Sequence, residues 1–107
     1  MDKRELIEIL IAFKQHIVKK YEIKKIYLFG SYSQGKANED SDVDLIIVGD
    51  FKQEGNSHRA PVFYKEWHIV QNIDLPVDIL CYTPEEFDLL KNKVTIVKEA
   101  IEEGIEI

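Results

Sequence analysis

A single cysteine, three prolines and five glycines in 107 residues narrow the structural classes open to this chain. One thiol, Cys81, excludes an intramolecular disulfide and any cysteine-rich zinc site. The composition suits a reducing compartment, so a cytoplasmic location is expected. No apolar run approaches the ~20 residues of a membrane span. The opening MDKRELIEIL lacks the basic-then-apolar layout of a signal peptide. An excess of positive charge is missing as well: 14 basic residues against 20 acidic ones leave a net charge of -6. Autonomous nucleic-acid binding draws on a basic surface that contacts phosphates, so no nucleic-acid partner is expected. The pairs Lys19-Lys20 and Lys24-Lys25 are too small to reverse that. The histidines at 16, 58 and 68 have no ligand spacing between them.

Against these absences stands an ordinary hydrophobic share of 45%, enough for one core, and the length fits a single domain over residues 1–107. Asp2 with Glu5 resembles a capping box, and Leu6, Ile9, Leu10, Phe13, Ile17 and Tyr21 recur at helical spacing. A helix over 3–20 is expected. Strands are expected at 25–29 (KIYLF), 43–48 (VDLIIV) and 76–82 (PVDILCY). Between the second and third lie a turn-rich linker at 49–57 and a helix over 58–70 that starts at 60 or 61, because Pro61 is tolerated only in a first turn. Its expected buried face is Val62, Phe63, Trp67 and Val70. Thr83-Pro84-Glu85-Glu86 is a helix start, with helical pattern to about Glu103, a break near Asn92 and a stop at Gly104. Phe87, Leu90, Val94, Val97 and Ile101 are its apolar positions. Cys81 reads as inert core, Trp67, Phe63 and Tyr64 as core or interface, Glu39 and Asp40 as solvated loop charges. The fold class is α/β (α+β): a short mixed sheet with flanking helices.

The segment GSYSQGKANEDSDVD at 30–44 joins the first two strands. If the second strand begins at 42, Asp42 and Asp44 share a face and sit ~6–7 Å apart, with Val43 and Leu45 turned into apolar cover. Two like charges there are costly without a counter-ion. A divalent cation supplies one and leaves room for substrate phosphates. Asp78 is the lone charge in PVDILCY and also needs a partner. If this strand neighbours the Asp42/Asp44 strand in register, the three carboxylates converge on one side of the sheet, but sequence does not set that register. Gly30-Ser31 can bring backbone amides and a hydroxyl to a phosphate, and Gly35 permits a tight turn. The competing reading is an acidic surface turn.

Gly30-Ser31, then Gly35, then Ser41-Asp42-Val43-Asp44-Leu45, with the isolated Asp78 downstream, resembles the signature of the DNA polymerase β-like nucleotidyltransferase superfamily. Within it the chain is most similar to the minimal nucleotidyltransferases that serve as antitoxins beside HEPN-domain toxins. The resemblance extends to VDILCYTPEEF and the closing EEGI. It implies a polymerase-β-like fold and transfer of AMP from ATP to a hydroxyl, a tyrosine of the toxin. It implies two magnesium ions held by Asp42 and Asp44, with Asp78 ligating the catalytic metal and helping to activate the attacking hydroxyl. Gly30, Ser31, Gly35 and Ser41 would serve the nucleotide phosphates. This chain departs from many relatives at residues 32–34, where Tyr, Ser and Gln stand in place of arginines; Lys36 is the nearest cation. Two other readings stay open: a catalytically lapsed subunit that neutralises its partner by contact, and a nucleotide-adding enzyme acting on nucleic acid, which the net charge opposes. Self-association of the chain is also left open.

Overall fold

A computed structural model describes residues 1–38, 40–93 and 95–107. The readings of Glu39 as a loop charge and Val94 as a core position lie outside the described residues. The first helix, α1 (Lys3–Ile17), starts where Asp2 Oδ1 accepts the Glu5 N–H at 2.8 Å. Its buried stripe is Leu6, Leu10, Phe13 and Ile17. The helical pattern expected to reach residue 20 ends three residues earlier, in turns over 18–20.

Four strands form one mixed sheet in the order β3-β2-β1-β4. β1 (Ile23–Phe29) and β2 (Val43–Gly49) are antiparallel neighbours. β3 (Val77–Tyr82) lies parallel to β2, and β4 (Ile105–Glu106) pairs antiparallel with β1. A parallel pair needs a crossover longer than a hairpin, and residues 50–76 supply it. Helices cover both faces of the sheet. Leu45, Ile47, Ile79 and Cys81 pack with α1, Phe63 and Trp67 on one side. Tyr27, Ile46 and Val48 pack with Phe87, Val97 and Ala100 on the other. The alternation along β2 therefore sends Val43 and Leu45 to one core and leaves Asp44 on the face of Ile46 and Val48.

The crossover departs from the single helix expected over 58–70. It is α2 (Asn56–Arg59), α3 (Pro61–Lys65) and a π-helical turn (Glu66–Val70), so helical structure begins inside the expected linker. Phe63 and Trp67 are buried as expected, but Val62 and Val70 are 36% and 43% exposed. The wide π turn breaks the 3.6-residue phase on which Val70 was placed. Trp67 anchors the segment: its Nε1 donates to the Leu75 carbonyl at 2.9 Å and its ring meets Phe13 edge-on at 5.1 Å.

The outer edge of β3 is closed by side chains of this crossover. Asn56 accepts the Cys81 N–H at 2.7 Å and donates to the Ile79 carbonyl at 3.0 Å, standing in for a neighbouring strand. Arg59 donates to the Cys81 carbonyl at 3.3 Å, and the Tyr64 hydroxyl accepts the Ile79 N–H at 3.0 Å. An edge satisfied in this way is a poor template for pairing with another chain.

Beyond β3, Thr83 and Glu86 form the expected capping box of α4 (Pro84–Leu90), and Thr95 caps α5 (Ile96–Glu103). The break expected near Asn92 lies between them. Phe87 and Val97 are buried, Leu90 is partly buried, and Ile101 is 40% exposed. Strand β4 was not expected: two residues past Gly104 carry too little pattern to read.

Deleting the Trp67 side chain should open a cavity between α1 and the sheet. Trp67→Ala is expected to cost about 3–5 kcal/mol in chemical denaturation. A loss below about 1 kcal/mol would contradict the anchoring role.

Candidate active site

The candidate site lies at the end of the sheet where β1 finishes and β2 and β3 begin. Gly30, directly after β1, has φ +74, and a Cβ built on it would collide with Oδ2 of Asp44. Two constraints thus meet at one position: a left-handed backbone, and a carboxylate packed against the Cα. After it the chain makes a single helix-like turn, with the Ser33 and Gln34 N–H groups donating to the Gly30 carbonyl and Lys36 to that of Ser31. Among the described residues, the N–H groups of Ser31 and Tyr32 donate to no protein acceptor. Such amides, at the start of a helical turn, suit an anion. Gly35, at φ +70, closes the turn with open space where a Cβ would be.

Parallel pairing sets Asp44 opposite Asp78 and Leu45 opposite Ile79. Neighbouring strands run ~4.8 Å apart, so the two carboxylates leave the same face side by side. Asp42 sits one residue before β2, which begins at Val43 and not at 42. It is exposed while Asp44 is half-buried. A fourth carboxylate, Glu99 on α5, joins the group electrostatically. The Asp44 carboxyl titrates above its ordinary range, first because burial disfavours the anion and then because Asp78, Asp42 and Glu99 repel it. Among the described residues no lysine, arginine or histidine forms an ion pair with Asp42, Asp44 or Asp78.

The donor set bears on the magnesium ions that the family resemblance implies. Among the described residues no three His, Cys, Asp or Glu side chains are gathered closely enough to cage a metal ion by themselves. Magnesium does not require such a cage: it is commonly held by one or two carboxylates, with waters and substrate phosphates completing its octahedron. Hard oxygen donors with no cationic partner among the described residues fit that kind of ion, and the adjacent amides of Ser31 and Tyr32 fit the phosphates that accompany it. Such donors do not fit a soft metal, and Cys81 offers no alternative: its thiol is buried away from the site and pushed up to about 12 by burial.

Other residues take different parts from those expected. Ser41 closes the loop onto itself, its Oγ accepting the Asn38 N–H at 2.9 Å. At residues 32–34, where the family resemblance led to an expectation of arginines, Ser33 is buried and donates to the Gly30 carbonyl at 2.8 Å, and Gln34 donates to Glu103 at 2.8 Å. Lys36 is exposed. Tyr64, expected as core or interface, rests its ring on the core yet brings its hydroxyl within 3.4 Å of Asp78 Oδ1. Burial holds that phenol protonated, above its ordinary range, with Asp78 acting in the same direction. Nothing in a helical pattern marks such a contact. A separate cavity of about 360 Å³, lined by Tyr21, Phe51, His58, Arg59 and Phe63, opens at the far end of β2. It is no part of this site.

A turn with amides that suit an anion, beside paired aspartates on a mixed sheet, is an arrangement suited to binding a nucleotide. Comparison with known proteins narrows this further: residues 10–105 match the family model described as nucleotidyltransferase domain, and the chain belongs to that family. It is similar to the candidate protein adenylyltransferase MJ1379 of Methanocaldococcus jannaschii, 29% identical over 104 residues, covering 94% of this chain and 92% of the relative. A shorter match, 41% identical over 49 residues, is to the protein adenylyltransferase MntA of Thermococcus cleftensis and spans 46% of this chain and 48% of that protein. Two crystal structures share the fold. One, of a nucleotidyltransferase candidate from Sulfolobus solfataricus, has a TM-score of 0.55 at 22% identity, over 86% of this chain and 79% of its own. The other, a toxin–antitoxin with AMP-PNP, has a TM-score of 0.54 at 20% identity, over 99% of this chain and 72% of its own. The mixed α/β architecture expected from sequence is therefore that of nucleotidyltransferases.

Two substitutions probe the geometry without substrate. Gly30→Ala is expected to cost about 1–2 kcal/mol from the backbone alone and to displace Asp44; a crystal structure with Asp44 unmoved would contradict the contact. Asp44→Asn should raise the melting temperature of the metal-free protein at pH 7. A carboxyl raised in the folded state stabilises the fold below its ordinary value of 3.8 and loses that contribution as pH rises through the raised value. The gain in the variant should therefore vanish below that ordinary value.

Proposed function

We propose that this domain is a magnesium-dependent protein adenylyltransferase. It transfers AMP from ATP to a tyrosine hydroxyl of a HEPN-type toxin and so acts as that toxin's antitoxin. The observation that carries the reading is the register of β2 and β3, which sets Asp44 beside Asp78 with Gly30 packed beneath. The names of MJ1379 and MntA support a protein acceptor and the toxin–antitoxin neighbour supports a toxin; the HEPN type and the tyrosine follow from the family resemblance.

In this reading Asp42, Asp44 and Asp78 hold the magnesium ions. When bound, magnesium neutralises phosphate charge and polarises the bond to be broken. The free amides of Ser31 and Tyr32 receive the outer phosphates, and Gly35 lets the turn close over them. Ser41 keeps the loop shaped so that Asp42 faces the nucleotide. Asp78, at the sheet edge, lies beside the acceptor and draws the proton of its hydroxyl. The acceptor oxygen forms a bond to the α-phosphorus as the bond to the bridging oxygen of pyrophosphate breaks. Pyrophosphate leaves with that electron pair, and the acceptor's proton passes through Asp78 to solvent. Positioning and charge neutralisation supply most of such an acceleration.

The test is transfer of labelled AMP from ATP to a purified HEPN toxin with magnesium. Asp42→Asn, Asp44→Asn and Asp78→Asn should each lower transfer by at least about 100-fold while the chain stays folded by circular dichroism. Full transfer by the Asp42→Asn/Asp44→Asn double variant would overturn the reading. Toxin neutralisation that survives loss of all three aspartates would favour inhibition by contact.

A further inference from the structure

The proposed reaction leaves unexplained how Asp78 is kept in place. It is exposed and sits on an edge strand, where a carboxylate is free to rotate toward solvent. Among the described residues, Tyr64 is the side chain that hydrogen-bonds to it. Its ring lies against the core on the α1 face, and the chain of contacts passes around the edge of β3 to the opposite face, where Asp78 emerges.

A phenol has one proton to donate and lone pairs to accept with. The Ile79 N–H, one residue past Asp78, donates into the Tyr64 oxygen at 3.0 Å. That bond fixes where the oxygen sits and takes up accepting capacity, so the single O–H is left for Asp78 Oδ1, 3.4 Å away. A rigid backbone amide thereby aims a hydroxyl at the carboxylate. The contact is made to one carboxylate oxygen, Oδ1, on the residue that the strand register sets beside Asp44.

We propose that Tyr64 is a positioning residue for Asp78, fixing the carboxylate's orientation toward the divalent cation and nucleotide phosphates through a hydroxyl that the Ile79 amide locks in place. This rests on the reading of Asp78 as a ligand in the preceding section. Outer-shell hydrogen bonds of this kind are worth about 10- to 100-fold in metal affinity or rate. Tyr64 touches neither substrate nor reacting atoms; its effect passes through Asp78.

The experiment is Tyr64→Phe in the full chain, with manganese titrated as the spectroscopic substitute for magnesium in the presence of AMP-PNP. The expected result is manganese binding weakened about 10-fold or more, transfer lowered in kcat with the KM for the protein acceptor unchanged, and faster hydrogen exchange at the Ile79 amide. Combined with Asp78→Asn, the tyrosine change should add little further loss, because both act through one carboxylate. Unchanged manganese affinity with faster exchange at Ile79 would overturn the inference and leave Tyr64 as an edge cap alone. AMP found on Tyr64 by mass spectrometry would overturn it too, making the residue an acceptor. Wild-type protein that binds no manganese would overturn the parent reading as well, which separates the two failures. Should Tyr64→Phe not fold, wild-type protein carrying ¹³Cζ-tyrosine serves: the Tyr64 resonance must move when magnesium and AMP-PNP are added, and a fixed resonance overturns the inference.

Discussion

The register of one parallel strand pair governs this molecule. Because β2 and β3 align Asp44 with Asp78, two carboxylates leave the same face of the sheet side by side, and Asp42 and Glu99 deepen the field around Asp44. A slip of one residue would turn Asp78 toward the opposite core and pull Ile79 and Cys81 out of the one they fill. The apolar cores on both sides of the sheet hold the register, and through it the charges. The fold thus sustains a local electrostatic cost at one end of the sheet with packing distributed over the rest.

The devices that secure that end are mostly ordinary ones. Gly30 removes a Cβ where Asp44 needs the space. Asn56, Arg59 and Tyr64 satisfy the open side of β3, which keeps the strand beside β2 without a further strand to pair with. Deeper in the same layer, Glu66 is buried and receives His16, Lys20 and Tyr21 at 2.6, 3.1 and 3.3 Å. Burial alone would push its carboxyl up, but the hydrogen bonds from Lys20 and His16 outweigh this and hold it below the ordinary range. The contrast with Asp44 is instructive. Glu66, which serves structure, has Lys20 beside it, whereas among the described residues Asp44 forms no ion pair and is faced by the carboxylates of Asp78, Asp42 and Glu99.

Much of this was legible in sequence because the signals were local. Asp42 and Asp44 stood out against an apolar strand, Asp78 as a lone charge in another, and Gly30 as the stop of a third. Capping residues placed the starts of α1 and α4. Non-local features were not legible. Pattern within a strand carries no information about which strand lies beside it, so the pairing of Asp44 with Asp78 needed coordinates. Tyr64 looked like any aromatic on an amphipathic helix, since a hydroxyl's reach around a sheet edge leaves no periodic trace. The π-helical turn shifted the helical phase and exposed Val70, and β4 was too short to show a pattern. The family signature covered the Gly30–Gly35 turn, yet Ser33 and Gln34, where the resemblance led to an expectation of arginines, bond within the fold.

The central claim is that uncompensated charge at Asp44 and Asp78 is a seat for a divalent cation bridging to nucleotide phosphates. Calorimetric titration of the non-hydrolysable analogue AMP-PNP, with and without magnesium, tests it most directly in wild type and Asp44→Asn. The account predicts binding by wild type that requires magnesium, and binding by the variant that is weak and indifferent to it. Equal, magnesium-independent binding by both proteins would contradict it.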